Sequence, residues 1–218
     1  MILIDGDMLV YRVGFACDEE TEEVATQTLD NYLSEMVMDL SEHYTSSIVY
    51  LTGKGNFRDE VATTQPYKGN RDNKRVPVHK NLLRDYMISE WNAQVVNGME
   101  ADDAIAIKAT ELDHDVIICS LDKDFKQIPC RMYDYTKKNL NAFKEDDAMR
   151  WLYKQALMGD RVDNIPGIHG VGPKKASKIL EDCKTEQDMY EECVRAYGGD
   201  EERVMHRVMC QGEVPYES

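Results

Sequence analysis

Between Met99 and Asp124 the chain reads MEADDAIAIKATELDHDVIICSLDKD, and few folds accommodate that order of residues. The run Val116 to Cys119 is apolar, β-branched and bounded by polar residues, which predicts a short buried strand. Ala101 to Glu111 predicts a helix whose apolar face carries Ala104, Ile105 and Ile107. Glu100 and Asp103, three apart, share a face near the N-terminus of that helix. Asp122 and Asp124 leave the strand at the end where open parallel sheets place their ligands. Carboxylates from Glu100, Asp102, Asp103, Asp122 and Asp124 gathered at one sheet edge repel one another. A hard divalent cation, with its preference for oxygen, resolves that repulsion. The competing explanation is ordinary helix chemistry, because acidic residues at a helix start are favoured by the macrodipole alone.

The rest of the chain continues the alternation of strand and helix. Met1 to Asp5 predicts a strand that runs into Asp5-Gly6-Asp7, residues that also suit a plain turn. Val24, Leu29, Leu33, Met36, Val37 and Leu40 recur at helical intervals and predict a long helix from about Glu23 to Ser41. Ser47 to Leu51, Gln94 to Val96 and Asp115 to Cys119 supply further strands, with Met132 to Tyr135 a last short one. Leu82 to Trp91 and Asp146 to Met158 read as helices, the second stopping at Gly159. The order is that of an α/β fold with a mostly parallel sheet and right-handed crossovers. From Glu181 onward the chain reads as helical and acidic, without a motif.

At 218 residues the chain is long enough to bury a substantial core. No stretch approaches the ~20 apolar residues that span a bilayer. The N-terminus has no basic run ahead of its apolar residues, which argues against a signal peptide. The six cysteines are scattered without a C-x-x-C pair, the usage expected of reduced thiols in the cytoplasm. The formal charge of −15 argues against a nucleic-acid partner until its distribution is considered. Lys54, Arg58, Lys68, Arg71, Lys74, Arg75, Lys80 and Arg84 form a basic island opposed only by Asp59, Glu60 and Asp72. Such an island fits an anionic substrate held at one place.

Residues 53 to about 80 fit neither a strand nor a core helix, and an insertion of this length is functional or disordered. Tyr67 among Lys68, Arg71, Lys74 and Arg75 suits a single strand of nucleic acid, with a base stacked on the ring and cations along the phosphates. Residues 159–180 then combine Gly167, Gly170 and Gly172 with Pro173, Lys174 and Lys175. A helix, a glycine-rich turn and a second helix whose N-terminal N–H groups face an anion make a phosphate-binding hairpin. An ordinary helix cap and loop is the alternative.

Together these segments resemble the 5′ nuclease or flap endonuclease superfamily, most closely the bacteriophage 5′–3′ exonucleases and the 5′ nuclease domain of bacterial DNA polymerase I. The matching motifs are IDGDMLVYR (4–12), YKGNR (67–71), GMEADDAIAIKA (98–109), CSLDKDFKQI (119–128) and LMGDRVDNIPGIHGVGPKKASKIL (157–180). The resemblance implies a PIN-like α/β core over residues 1–145, with a helical arch at about 53–85. It also implies a helical region over 146–218 that carries a helix-three-turn-helix. It assigns Asp5, Glu100, Asp102, Asp103, Asp122, Asp124, Asp160 and Asp163 to an acidic cluster for two or three Mg²⁺ or Mn²⁺ ions. Lys68 and Arg71 become catalytic arch residues. Arg58, Tyr67, Lys74, Arg75, Gly167, Gly170, Gly172, Lys174 and Lys175 become DNA contacts, with K⁺ as a further ion at the hairpin.

The implied activity is two-metal hydrolysis of DNA phosphodiesters at free 5′ ends or flaps, leaving 5′ phosphates and 3′ hydroxyls. RNA–DNA hybrids are a further expected substrate, a monomer the expected state and the cytoplasm the expected compartment. Two departures stand out: the family usually has an Asp where Thr52-Gly53 occurs here, and Asp7 occupies a position where many relatives carry a small polar residue. The chain is also shorter at its C-terminal end than many relatives. Alternatives are a primer-removing RNase H-like nuclease, a PIN-type ribonuclease, and a non-catalytic branched-DNA binding protein. A calcium-binding structural protein is disfavoured because no EF-hand spacing is present.

Overall fold

The structure, a computed structural model, describes residues 1–62, 66–69 and 75–212. Strand β1 (Ile2–Asp5) leads directly into helix α1 (Gly6–Ala16), and Asp5 caps that helix by accepting from the Met8 N–H at 3.0 Å. Thr21 caps the long α2 (Glu22–Asp39) in the same manner. Then follow β2 (Ser47–Thr52), the single-turn α3 (Arg58–Val61), α4 (Lys80–Glu90) and β3 (Gln94–Val96). Helix α5 (Ala101–Glu111) and β4 (Ile117–Cys119) form the centre of the chain, followed by a 3₁₀ turn at Lys123–Gln127. Strands β5 (Arg131–Asp134) and β6 (Asn139–Ala142) make a hairpin ahead of α6 (Glu145–Met158). The chain continues through the short β7 (Gly159–Asp160) and β8 (Ile165–Pro166), then α7 (Pro173–Ile179), α8 (Glu186–Ala196) and α9 (Glu201–Gln211).

The main sheet has the order β3-β2-β1-β4-β5-β6, parallel throughout except for the antiparallel β5–β6 pair. Its faces follow the period of two expected of a strand. Ile2, Ile4, Ile117 and Cys119 pack with Leu9, Val13, Leu29, Leu33 and Leu83 of α1, α2 and α4. Leu3 and Ile118 point the other way, onto Ile105, Ala106, Ala109 of α5 and Phe125. Burial on both faces explains why β1 and β4 read as continuous apolar runs. Full burial of each such aliphatic side chain contributes about 1.5–3 kcal/mol. A third cluster, around Leu157, Ala176, Leu180, Met189, Cys193 and Val204, holds α6 to α9 together.

The expected α/β order holds, with two additions. Beyond Met132 to Tyr135, expected as the last strand, the chain turns back as β6. Asp134 accepts from the N–H groups of Thr136 and Lys137, and Lys138 takes a positive φ of 50° to close the turn. Strand β6 buries only part of Leu140, so its sequence carries almost no apolar signal. The basic insertion also contains a helical turn, α3, at its start. Among the described residues no helix is long and apolar enough to cross a membrane. All six cysteines are buried and unpaired.

Candidate functional site

The parallel strands of the sheet end on one side, and their carboxyl ends carry the acidic residues. Asp5, at the end of β1, accepts from the Ser120 hydroxyl at 2.7 Å, just beyond the end of the neighbouring β4. The same Ser120 oxygen accepts from the Asp122 N–H at 3.0 Å, and Asp122 in turn accepts from the Asp124 N–H at 2.9 Å. A relay of side-chain and backbone bonds thus sets three carboxylates in register. Asp124 also accepts from Gln155 of α6 at 2.6 Å, which ties the sheet edge to the helical region. Asp160 in β7 and Asp163 in the following turn complete this side. Asp160 accepts from the Val162 and Asp163 N–H groups at 2.7 and 3.4 Å.

Among the described residues Asp124, Asp160 and Asp163 each offer an oxygen within 4.8 Å of the others. An oxygen-only donor set of this charge suits a hard cation. Among the described residues, two ammonium groups lie among these oxygens. Lys123 contacts Asp124 at 2.8 Å and also Asp160. Lys68 contacts Glu100 and lies 3.9 Å from Asp163. The site therefore draws cations into its carboxylates from two directions.

Glu100 and Asp102 open α5. Glu100 accepts from the Tyr67 hydroxyl at 2.7 Å, and the Lys68 N–H donates to the Asp163 carbonyl at 3.0 Å. The Asn164 side chain donates to the Pro66 carbonyl at 3.0 Å, so residues 66–69 lie against the turn that carries Asp163. The charges of these groups follow from their surroundings. Burial pushes the Asp5 carboxyl up to about 7, against the bonds from Met8 and Ser120. Burial, then the neighbouring Glu100 and Asp103, raises Asp102 well above the usual carboxylate range. Burial and then Asp124 raise Asp122. For Glu100 burial acts upward too, but Lys68, Tyr67 and Arg58 outweigh it and hold the group below its usual value. Asp160 is likewise lowered, because Lys123 and two backbone N–H groups overcome its burial.

Two of the expected assignments meet a different environment. Arg58, expected as a DNA contact, is 1% exposed and its guanidinium faces the interior. It forms a two-pronged pair with Asp103, at 2.6 and 2.7 Å. Asp103, expected as an ion ligand, is fully buried, and it also accepts from the Glu100 N–H at 2.9 Å. Burial in a basic segment has no signature in composition, which is why Arg58 resembled the other basic residues of its segment.

The remaining expected contacts are distributed as follows. Arg75 is exposed and pairs with Asp18 at 2.5 Å. Gly167 packs flat on Met158 and Gly159, where a Cβ would lie 2.1 Å from the Met158 carbonyl carbon. Gly170 has a positive φ of 74°, and Gly172 precedes Pro173 at the start of α7, with Lys174 and Lys175 exposed in its first turn. Arg71 and Lys74 lie outside the described residues.

Lys123, Ser120 and Gln155 were not singled out from the sequence, and Arg84 was named only as a member of the basic island. Lys123 had a signal, since it lies between Asp122 and Asp124. Arg84 donates to Asp7 at 2.8 Å and to the Thr52 carbonyl at 2.6 Å, while Asp7 accepts from the Thr52 N–H at 2.9 Å. Where the family usually carries an Asp, the hydroxyl of Thr52 at the end of β2 accepts from the Ala101 N–H at 2.8 Å and steadies the start of α5.

Comparison with known proteins gives the same picture. Residues 1–152 match the family described as 5′–3′ exonuclease, N-terminal resolvase-like domain, and residues 148–207 match 5′–3′ exonuclease, C-terminal SAM fold. DNA polymerase I of Bacillus caldotenax is 31% identical over 215 residues, covering 87% of this chain and 24% of the relative. Flap endonuclease Xni of Shewanella baltica is 29% identical over 197 residues, covering 82% of this chain and 73% of the relative. The chain spans about a quarter (24%) of the length of that DNA polymerase I. The T5 5′-exonuclease with bound zinc ions superposes with a TM-score of 0.73 at 21% identity, over 97% of this chain and 88% of that one. A bacteriophage T5 flap endonuclease complex with DNA and metal ions gives 0.74 at 20% identity, over 95% and 87%. Two family patterns thus follow one another along a single α/β chain whose strand ends carry the acidic cluster, and the chain belongs to the 5′–3′ exonuclease family.

Proposed function

We propose that this chain is a divalent-metal-dependent 5′ nuclease that hydrolyses phosphodiesters of DNA at free 5′ ends or flaps. The observation that carries the reading is the convergence of Asp124, Asp160 and Asp163, with oxygens within 4.8 Å of one another, from separate segments beside the carboxyl ends of β1 and β4. Asp5, Asp122, Glu100 and Asp102 extend the same rim. These side chains would hold two or three Mg²⁺ or Mn²⁺ ions. Such ions, when bound, make water a nucleophile at neutral pH and offset charge on the leaving oxygen.

The protein's own residues supply orientation and charge. The relay through Ser120 fixes Asp5, Asp122 and Asp124 before substrate arrives, so little reorganisation is left for the reaction step. Lys68, raised above its usual value by Glu100 and Asp163 against its burial, stays protonated and is positioned to meet a phosphoryl oxygen at the rim. Arg71, three residues further along the YKGNR motif, is proposed to share that role. Tyr67 would meet the terminal bases, with Arg75 and Lys74 along the single strand. The hairpin of Gly167, Gly170, Gly172, Lys174 and Lys175, with K⁺, would hold the duplex backbone. The two regions, residues 1–145 and 146–218, would thus divide the chemistry from the duplex grip. The reading includes a monomer acting in the cytoplasm, with RNA–DNA hybrids as a further substrate.

The test compares Asp160→Asn with the unaltered protein on 5′-labelled flap, nicked duplex and RNA–DNA hybrid, with Mg²⁺ and with EDTA. The variant should bind the flap and fail to cut it, and EDTA should abolish cutting by the unaltered protein. Normal cutting by Asp160→Asn, or cutting in EDTA, would contradict the proposal.

A further inference from the structure

We infer that Arg58 is a positioning residue that latches the C-terminal helix to the carboxylate rim, and that Asp103 serves this latch instead of holding an ion. This rests on the metal-dependent reading above and deepens it. Among the described residues, four hydrogen bonds converge on the one guanidinium. Two go to the Asp103 carboxylate, at 2.6 and 2.7 Å. The others go to the carbonyls of Cys210 and Gly212, at 3.2 and 2.7 Å. Those carbonyls close α9, where a helix presents its negative end and free acceptors, so a cation there is favoured twice over. The guanidinium also lies over the rings of Phe57 and Tyr67, at 4.7 and 5.6 Å from their centroids.

The path to the site is short. Asp103 accepts from the Glu100 N–H and so sets the first turn of α5, from which Glu100 and Asp102 project. Arg58 Nη1 is 3.7 Å from the Glu100 carboxylate itself. Asp103 has no exposed surface, and both its oxygens accept from Arg58. Its position in the acidic motif therefore reflects support of the ligands beside it. The end of α9, more than a hundred residues away in sequence, becomes part of the support for the rim.

The account separates cleanly from its two alternatives. Were Asp103 an ion ligand, removing Arg58 would free a carboxylate and tighten ion binding. Were Arg58 a DNA contact, its removal would weaken DNA binding and lower the salt dependence by about one phosphate contact. A latch predicts weaker ion binding with DNA affinity kept, since supporting partners of metal ligands typically cost about 10–100-fold in affinity or activity when removed.

The experiment measures Mn²⁺ affinity by calorimetry and flap affinity in EDTA for the full chain, Arg58→Ala and Arg58→Lys. Lysine keeps the charge but loses the two-pronged geometry, so it serves where alanine fails to fold. Both variants should bind Mn²⁺ about 10–100-fold more weakly and cut about as much more slowly, with flap affinity within about two-fold of the unaltered protein. Tighter or unchanged Mn²⁺ binding in Arg58→Lys overturns the latch, as does a loss confined to DNA affinity. If the unaltered protein neither binds Mn²⁺ nor cuts, the nuclease reading itself has failed, a result distinct from either.

Discussion

Replacing Lys123 with methionine removes a charge from the rim while leaving most of the stem. That ammonium is 2.8 Å from Asp124 and also contacts Asp160, whose side chain is 7% exposed. Burial opposes its charge, but the bonds it donates to Asp124 and Asp160 hold Lys123 above its usual value, so it is protonated throughout the neutral range. The lysine itself is 47% exposed, so each contact is discounted for solvent and taken as about 0.5–1 kcal/mol. Two contacts give about 1–2 kcal/mol. Lys123→Met should destabilise the ion-free protein by that amount, a fall of roughly 2–8 °C in melting midpoint for a chain of this size. The same energy opposes an incoming cation, which must displace the ammonium. Mn²⁺ affinity should therefore rise by roughly 5- to 30-fold. Thermal melts in EDTA and Mn²⁺ titration calorimetry read the two effects separately. An unchanged melt together with unchanged or weaker Mn²⁺ binding would refute the idea that this lysine occupies the ions' place.

Other perturbations test other joints of the structure. Arg84→Ala removes charged bonds to Asp7 and to the Thr52 carbonyl, and should cost about 1.5–3 kcal/mol in urea denaturation. Gly159→Ala forces a Cβ to 2.2 Å from the Gly167 nitrogen at a backbone φ of 71°, next to Asp160. It should destabilise by more than about 3 kcal/mol and impair cutting even where the variant still folds, read from denaturation and flap assays together. For the ion-free protein, burial of Asp5 raises its group to about 7 from 3.8. The folded state therefore holds this proton more tightly than the unfolded chain, and stability should fall as pH rises between these values, by at most about 4 kcal/mol. Asp5→Asn should remove that part of the slope, and an identical slope in the two proteins would disprove it.

Much of this molecule could be read from residue order because its strands are buried on both faces. Ile2 to Ile4 and Ile117 to Cys119 have no polar positions to obscure them, and Thr21 and Asp5 cap helices where side-chain chemistry predicts. Helix ends shifted by one or two residues, as with Lys80 and Glu145. Strand β6 escaped because Asn139, Asn141 and Ala142 are exposed, so its pairing with β5 carries no apolar pattern. In the site, the acidic knots at Glu100–Asp103 and Asp122–Asp124 stood out by charge and spacing, whereas the places of Lys68, Asp160 and Asp163 came from the family resemblance. The inward turn of Arg58 and Asp103 was not legible, because pairing across 45 residues of sequence leaves no local pattern. Lys123 escaped for a different reason: a cation between two acids reads as a solvated charge until Asp160 is brought beside it.

The central claim is that carboxylates from separate segments share one ion-binding rim. Anomalous diffraction from crystals grown with Mn²⁺ tests it most directly. The account predicts peaks among the oxygens of Asp124, Asp160 and Asp163 and beside Asp122, with Lys123 turned away. Ions bound elsewhere, with Lys123 still seated between Asp124 and Asp160, would contradict it.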